Sequence, residues 1–363
     1  MLINIQFLRF VAALLVVLYH ASKHVASTGV SQGPVFEAAQ AVGFAGVDVF
    51  FVISGFIMFY TTTGSHGSSA SIDFLKRRVA RIYSGYWPFL LAAAAVFAWA
   101  RPAHFEASNL LTSLLLWPAP LHEVLLDVSW TLSYEMYFYI AFTLLMLLPV
   151  RGRFPLLVVI LAGVLAYNLA RHFVLQSFDP ENYYYNTFEG LFYTSPFLAE
   201  FFAGAVLAKF SLKGPSWLGW SALAIGIAGF AGAGIANVMV YDGAIEQGYH
   251  VVPRTLLFGI PSVLVLGGLV NLESGGHVAP RRFSLDTGGA SYAIYLSHTI
   301  FFVATMKLGI YAAMRGWAPV AVQATYVAYS AAIVVFSVVY YRTAERSLHR
   351  AFKRVLGVRS GLS

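Results

Sequence analysis

The sequence predicts an all-α polytopic membrane protein with about ten transmembrane helices and both termini in the cytoplasm. Three observations predict it. Of 363 residues, 59% are hydrophobic and only 11% are charged, against roughly 25% charged in a soluble globular domain, too few to cover a water-facing surface. The apolar residues lie in long runs, not in the ~10-residue alternating segments of a transmembrane β-barrel. The basic residues, finally, segregate by loop as a membrane topology requires.

A spanning helix needs about 20 mostly apolar residues. Ten stretches qualify: 5–23, 42–60, 84–100, 129–149, 154–170, 191–210, 217–238, 255–271, 291–312 and 319–341. The first is expected to remain in the protein, because no basic segment precedes it and no small-residue cleavage site clearly follows. With the N-terminus inside, sixteen of the 23 basic residues are cytoplasmic: Lys76, Arg77, Arg78, Arg81, Arg151, Arg153, Lys209, Lys213, Arg281, Arg282, Arg342, Arg346, Arg350, Lys353, Arg354 and Arg359. Six (Lys23, Arg101, Arg171, Arg254, Lys307 and Arg315) lie outside, and Arg9 lies within the first span. An even number of spans then places both ends in the cytoplasm. The net charge of +7 therefore reads as topology and attraction to anionic lipids, with no nucleic-acid partner. Residues 1–342 form the transmembrane domain and 343–363 a cytoplasmic basic tail, in which Ala344–Arg354 reads as an amphipathic helix on the inner surface.

Cysteine is absent, which excludes disulfides, thiolate metal sites and a cysteine nucleophile. His20 and His24 stand at i, i+4, but no third ligand is near, so no metal site is expected. There is no Gly-x-Ser-x-Gly elbow, phosphate-binding loop or dinucleotide fingerprint.

Ionisable groups within a bilayer cost roughly 2.5–3.5 kcal/mol each on insertion scales, so each needs a reason. Arg9 and His20 are eleven residues apart, which is about 20° past three full turns and about 16 Å along a helix axis. One face of the first span thus carries a fixed cation and a titratable imidazole. Snorkelling of each to its own interface is the structural alternative. Asp48 lies near the outer end of the second span, at a depth where its carboxylate can fix the tautomer of His20. Arg78 and Arg81, at i, i+3 in the cytoplasmic loop 74–83, can grip phosphates or simply anchor the topology. Glu135, Glu200 and His298 are further polar groups within spans, each open to a plain hydrogen-bonding role.

Five motifs occur in order: Arg9-x10-His20; Gly-Val-Asp-x-Phe-Phe-x-x-Ser-Gly-Phe at 46–56, with Asp48 and Ser54; Phe-x-x-Arg-Arg-x-x-Arg-Ile-Tyr at 74–83, with Arg78, Arg81 and Tyr83; Trp-Thr-Leu-x-x-Glu-x-x-Phe-Tyr at 130–139, with Trp130 and Glu135; and Ser-Tyr-x-Ile-Tyr-Leu-x-His at 291–298, with Tyr292 and His298. Together they resemble the acyltransferase-3 family of integral membrane acyltransferases. Ser84 and Ser347 stand where the family usually has proline, and the esterase-like periplasmic domain of some members is not in this sequence.

The resemblance implies a membrane-embedded O-acyltransferase of the bacterial inner membrane. Its donor is acetyl-CoA or another acyl-CoA, used as a substrate and not as a bound cofactor, and its acceptor is a hydroxyl of a surface glycan or lipid-linked oligosaccharide. It further implies that His20, Arg9 and Asp48 are catalytic, that Arg9, Arg78, Arg81 and Tyr83 bind the donor, and that Ser54, Trp130, Glu135, Tyr292 and His298 are supporting buried polar groups. Direct transfer is expected, with His20 as general base. The alternative expectation is a proton-coupled transporter or flippase that uses Arg9, His20, Asp48 and Glu135 as its path.

Overall fold

A computed structural model describes residues 2–210 and 213–358; Arg359, counted above among the cytoplasmic cations, and the end of the tail lie outside the described residues. Among the described residues there are helices and no strands. We number the helices at the ten expected spans α1 (Ile3–Ser27), α2 (Gly33–Thr61), α3 (Ser68–Ala100), α4 (Trp130–Leu145), α5 (Val150–Phe173), α6 (Phe188–Leu207), α7 (Ser216–Val240), α8 (Gly248–Ser274), α9 (Ser291–Lys307) and α10 (Pro319–Val355). Eight are long and apolar enough to cross a bilayer. The other two, α4 with 16 residues and α9 with 17, are shorter than the spans expected there.

Three boundaries differ from the sequence reading for identifiable reasons. The segment 74–83, expected as a loop, is the first half of the 33-residue α3. Neither glycine nor proline interrupts it from Ser68 to Ser84, so nothing stops the helix from propagating. Within α2, a 3₁₀ turn at Gly43–Ala45 joins the helical segment Gly33–Val42 to Gly46–Thr61, so the helix begins well before residue 42, where the sequence reading starts the span. At the far end, α10 runs past residue 342 through a π turn at Tyr341–Glu345 into Arg346–Val355, so the described part of the basic tail continues a spanning helix. A second π turn, Thr255–Gly259, lies within α8.

The chain divides into two compact units: residues 1–12, 41–67 and 144–288 form the first, and 13–40, 68–143 and 289–363 the second. In the first unit, α2 and α6 cross at Gly55 and Gly204. A Cβ on Gly55 would stand 1.8 Å from the Phe201 carbonyl oxygen, and one on Gly204 2.0 Å from that of Val52. Without a hydrophobic driving force between helices in lipid, such close backbone contact is what packing has to offer. A core of Ile5, Leu8, Val49, Ile53, Phe56 and Leu266 lies beside this crossing. The N-terminus of α1 is capped from α8: both carboxylate oxygens of Glu273 accept, from the Ile3 and Asn4 amides, at 2.8 Å each. This satisfies orphan donors with a charge that the helix dipole favours. Arg153, fully buried, donates to the carbonyls of Ser65 at 2.7 Å and Thr62 at 3.3 Å, and so closes the chain after α2.

In the second unit, Tyr295 of α9 donates to the Val128 carbonyl just before α4 and accepts from the Thr131 hydroxyl, both at 2.9 Å. Ser297 and Ser337 bring α9 to α10 through a 3.2 Å hydroxyl contact. These bonds fix α9, which carries His298, against the start of α4 and against α10.

Candidate active site

His20 lies on α1 and His298 on α9, both in the second unit. Nε2 of His298 is 3.2 Å from Nδ1 of His20, and the ring centroids are 4.7 Å apart. His20 Nδ1 is also 2.9 Å from the Val16 carbonyl one turn back. A carbonyl only accepts, so we assign the hydrogen to Nδ1, which leaves Nε2 of His20 with its lone pair. His298 is fully buried, whereas His20 is half-buried. Tyr19 and Tyr295 flank the two imidazoles, with centroids at 5.1 and 5.9 Å. One turn on, His24 stacks on Tyr311 with an interplanar angle of 2°.

The arginines of α3 occupy two adjoining clusters. Arg78 lies over the rings of Phe74 and Tyr139, 5.1 and 5.6 Å from their centroids, and the Tyr139 hydroxyl donates to Glu135 one turn away on α4. Arg81 donates to Glu345 at 2.7 Å, and that carboxylate is essentially buried (1% exposed). Tyr292 joins the clusters. Its ring stands 5.3 Å from the Arg81 guanidinium and its hydroxyl donates to the Ile82 carbonyl. It also fills the space that a Cβ on Gly85 would need, at 2.6 Å. Along α9, Tyr292 is six residues, or roughly 9 Å of rise, from His298.

Beside Arg81 opens a cavity of about 460 Å³ walled by Arg342, Arg346, His349 and Arg350 from α10. The π turn at Tyr341–Glu345 forms part of this wall. Such turns insert a residue and re-aim the side chains around it. Tyr83 is not part of this wall; its hydroxyl donates to the Leu115 carbonyl at 2.7 Å.

Asp48 and Arg9 fall in the first unit. The sequence expectation has Asp48 orienting His20, but the structure gives both Asp48 oxygens to Arg254. Nε reaches Oδ1 at 3.2 Å and Nη2 reaches Oδ2 at 2.7 Å, with both residues buried. A fork of this kind is bidentate and fixes the orientation of the carboxylate. Phe44 and Phe197 sandwich the guanidinium at 5.1 and 5.0 Å. Glu200 is buried against the adjoining π turn, within reach of Gly259. Arg9 is half-buried on the first-unit stretch of α1, Ser54 is buried in α2, and Trp130 packs edge-on against Tyr134 at 5.7 Å.

Sequence reasoning missed Arg254, Glu345 and the α10 arginines as site residues. Arg254 was counted only as an outer-loop cation. Glu345 did carry a signal, as the lone acid in an otherwise basic segment.

Comparison with known proteins identifies the family. Residues 2–342 match the family model described as an acyltransferase domain. The chain is 32% identical over 284 residues to the exopolysaccharide production protein ExoZ of Rhizobium meliloti (strain 1021), covering 74% of this chain and 80% of that protein. No solved structure matches. With nearly its whole length matched and its apolar helices long enough to span a bilayer, the chain belongs to the acyltransferase-3 family of integral membrane acyltransferases.

Proposed function

We propose that the protein transfers an acyl group, in the simplest case acetyl, from cytoplasmic acyl-CoA to a hydroxyl of a surface glycan or its lipid-linked precursor in the bacterial inner membrane. Kinship with a protein of exopolysaccharide production supports the acceptor class. The observation that carries the chemistry is the His20 imidazole, anchored through Nδ1 to Val16 with His298 against it.

In this reading Nε2 of His20 takes the acceptor's hydroxyl proton as the oxygen attacks the thioester carbonyl carbon. The new C–O bond forms, the C–S bond breaks, and the thiolate of CoA leaves and is then protonated. Imidazole is the side-chain type best matched to removing a hydroxyl proton. His298 replaces Asp48 as the group that holds the ring in place, and Arg78 and Arg81 stand near the donor. The transport alternative has no comparable support from relatives.

The test is purified protein in lipid nanodiscs given labelled acetyl-CoA and polysaccharide repeat units. The expected result is an acetyl ester on the glycan, released by mild alkali. An acetyl group retained on the protein after incubation with donor alone, or no transfer by folded protein supplied with a full panel of repeat units, defeats direct transfer.

A further inference from the structure

The sequence reading puts Arg101, and with it the chain between α3 and α4, outside the membrane. Yet residues 107–121 of that chain carry no charge. Such a run is too short to cross a bilayer and has the length of a buried or re-entrant segment. Its short helix, Leu110–Leu115, lies along α3. The Tyr86 hydroxyl donates to the Ser113 carbonyl at 2.8 Å, Trp87 Nε1 to that of Leu114 at 3.1 Å, and the Tyr83 hydroxyl to that of Leu115 at 2.7 Å. These are the last three carbonyls of the helix, the groups that a helix end leaves short of partners. On a wet surface water serves them. In hydrocarbon the protein must, and here three side chains of α3 do.

The donors stand far from the end of α3. Trp87 is thirteen residues, about 20 Å of rise, before Ala100, and Tyr83 is about 26 Å before it. Residues 82–100 are uncharged, so they are the part of α3 suited to the bilayer core, about 30 Å thick. Leu114 and Leu115 are level with that part. The same depth accounts for the shortness of α4: Ser129, directly before it, has its hydroxyl 3.5 Å from that of Tyr86, so α4 starts below the membrane surface.

We propose that residues 107–121 are a re-entrant element, which enters the bilayer from the Ala100 end of α3 and turns back without crossing, and that its exposed face of Leu110, Leu111, Leu114, Leu115 and Trp117 is a contact surface for lipid acyl chains. Leu111 is 64% exposed and Trp117 63%, an apolar face that water would not favour. It continues a surface already suited to lipid: Leu91, 71% exposed, is one turn beyond Trp87 on the same face of α3. The chain reverses at Leu116, in the left-handed region with φ 55°. Pro118 and Pro120 follow and bring no amide hydrogen that would need a partner. At the neck the Asn109 amide donates to the Glu123 carbonyl at 2.8 Å, and the exposed Glu106 and His122 mark the polar rim. The element leads into Val128, whose carbonyl accepts from Tyr295 one turn from His298. Its insertion thus seats the start of α4 against α9.

Single cysteines are clean reporters because the chain has none of its own. Full-length Leu111→Cys, Leu115→Cys and, as the polar reference, Glu106→Cys are placed in phosphatidylcholine nanodiscs. Melting curves confirm that each is folded, and Leu110→Cys replaces either leucine variant that is not. A charged maleimide is expected to label Leu111→Cys and Leu115→Cys at least tenfold more slowly than Glu106→Cys. Each cysteine is then given a small uncharged fluorophore, and the lipid a nitroxide on the acyl chain or on the headgroup. The acyl-chain nitroxide should quench the two leucine positions at least twofold more than the headgroup nitroxide, with the order reversed at Glu106→Cys. Labelling of the leucine positions as fast as Glu106→Cys would make this a loop in water and overturn the proposal. Slow labelling with no quenching from the acyl chain would overturn it too, since protein, such as a second copy of the chain, would then cover the face.

Discussion

His298 Nε2 stands 3.2 Å from His20 Nδ1, so the imidazole proposed as the base packs against a second imidazole. His20→Gln is expected to lower kcat by roughly 10²–10⁴ with the protein still folded. His298→Gln, which keeps a hydrogen-bonding group, should cost less than His20→Gln but still lower kcat with KM unchanged. A kcat identical to wild type would reduce His298 to a packing residue.

Arg81 and Glu345 form an ion pair whose carboxylate is buried. Removing one partner of a buried pair costs roughly 3–5 kcal/mol because the other charge is stranded. Arg81→Ala is therefore expected to lower thermal stability as well as raise the KM for acyl-CoA. Arg81→Ala combined with Glu345→Ala should recover much of the stability and none of the KM. Additive losses of stability in a double-mutant cycle would show that the pair is not coupled.

The Asp48–Arg254 pair is bidentate and enclosed by two aromatic rings. Asp48→Ala or Arg254→Ala should each destabilise the protein by roughly 3–5 kcal/mol, while replacement of both by apolar residues of similar volume should come close to neutral. Melting curves in detergent measure this. If the apolar double variant is stable and fully active, Asp48 belongs to the scaffold; if it is stable and inactive, Asp48 has a part in the chemistry.

Topology is open to direct labelling because the protein has no cysteine. Ser31 and Ser68 are exposed, Ser31 just after α1 and Ser68 at the start of α3. A cysteine at Ser68 should react only from the cytoplasmic side and one at Ser31 only from outside, as the segregation of basic residues requires. The opposite pattern would reverse the orientation of every helix.

The sequence by itself determined the class of protein, the positions of the spanning helices and the residues from which a site would be drawn. Apolar runs of spanning length and loop charges are local properties, and a bilayer imposes them one segment at a time. The polar residues of α1, α3, α4 and α9 were legible for the same reason, since each is costly within its own helix. Only the tertiary structure decided the pairings. His20 is 278 residues from His298, Arg81 264 from Glu345, and Asp48 206 from Arg254. No helical periodicity extends over such distances, so nothing local indicates whether Asp48 faces a histidine or an arginine. The two π turns were equally hidden. Each shifts the register of its helix by one residue, beside Arg254 and at Glu345, and it is packing against neighbouring helices that makes room for the inserted residue.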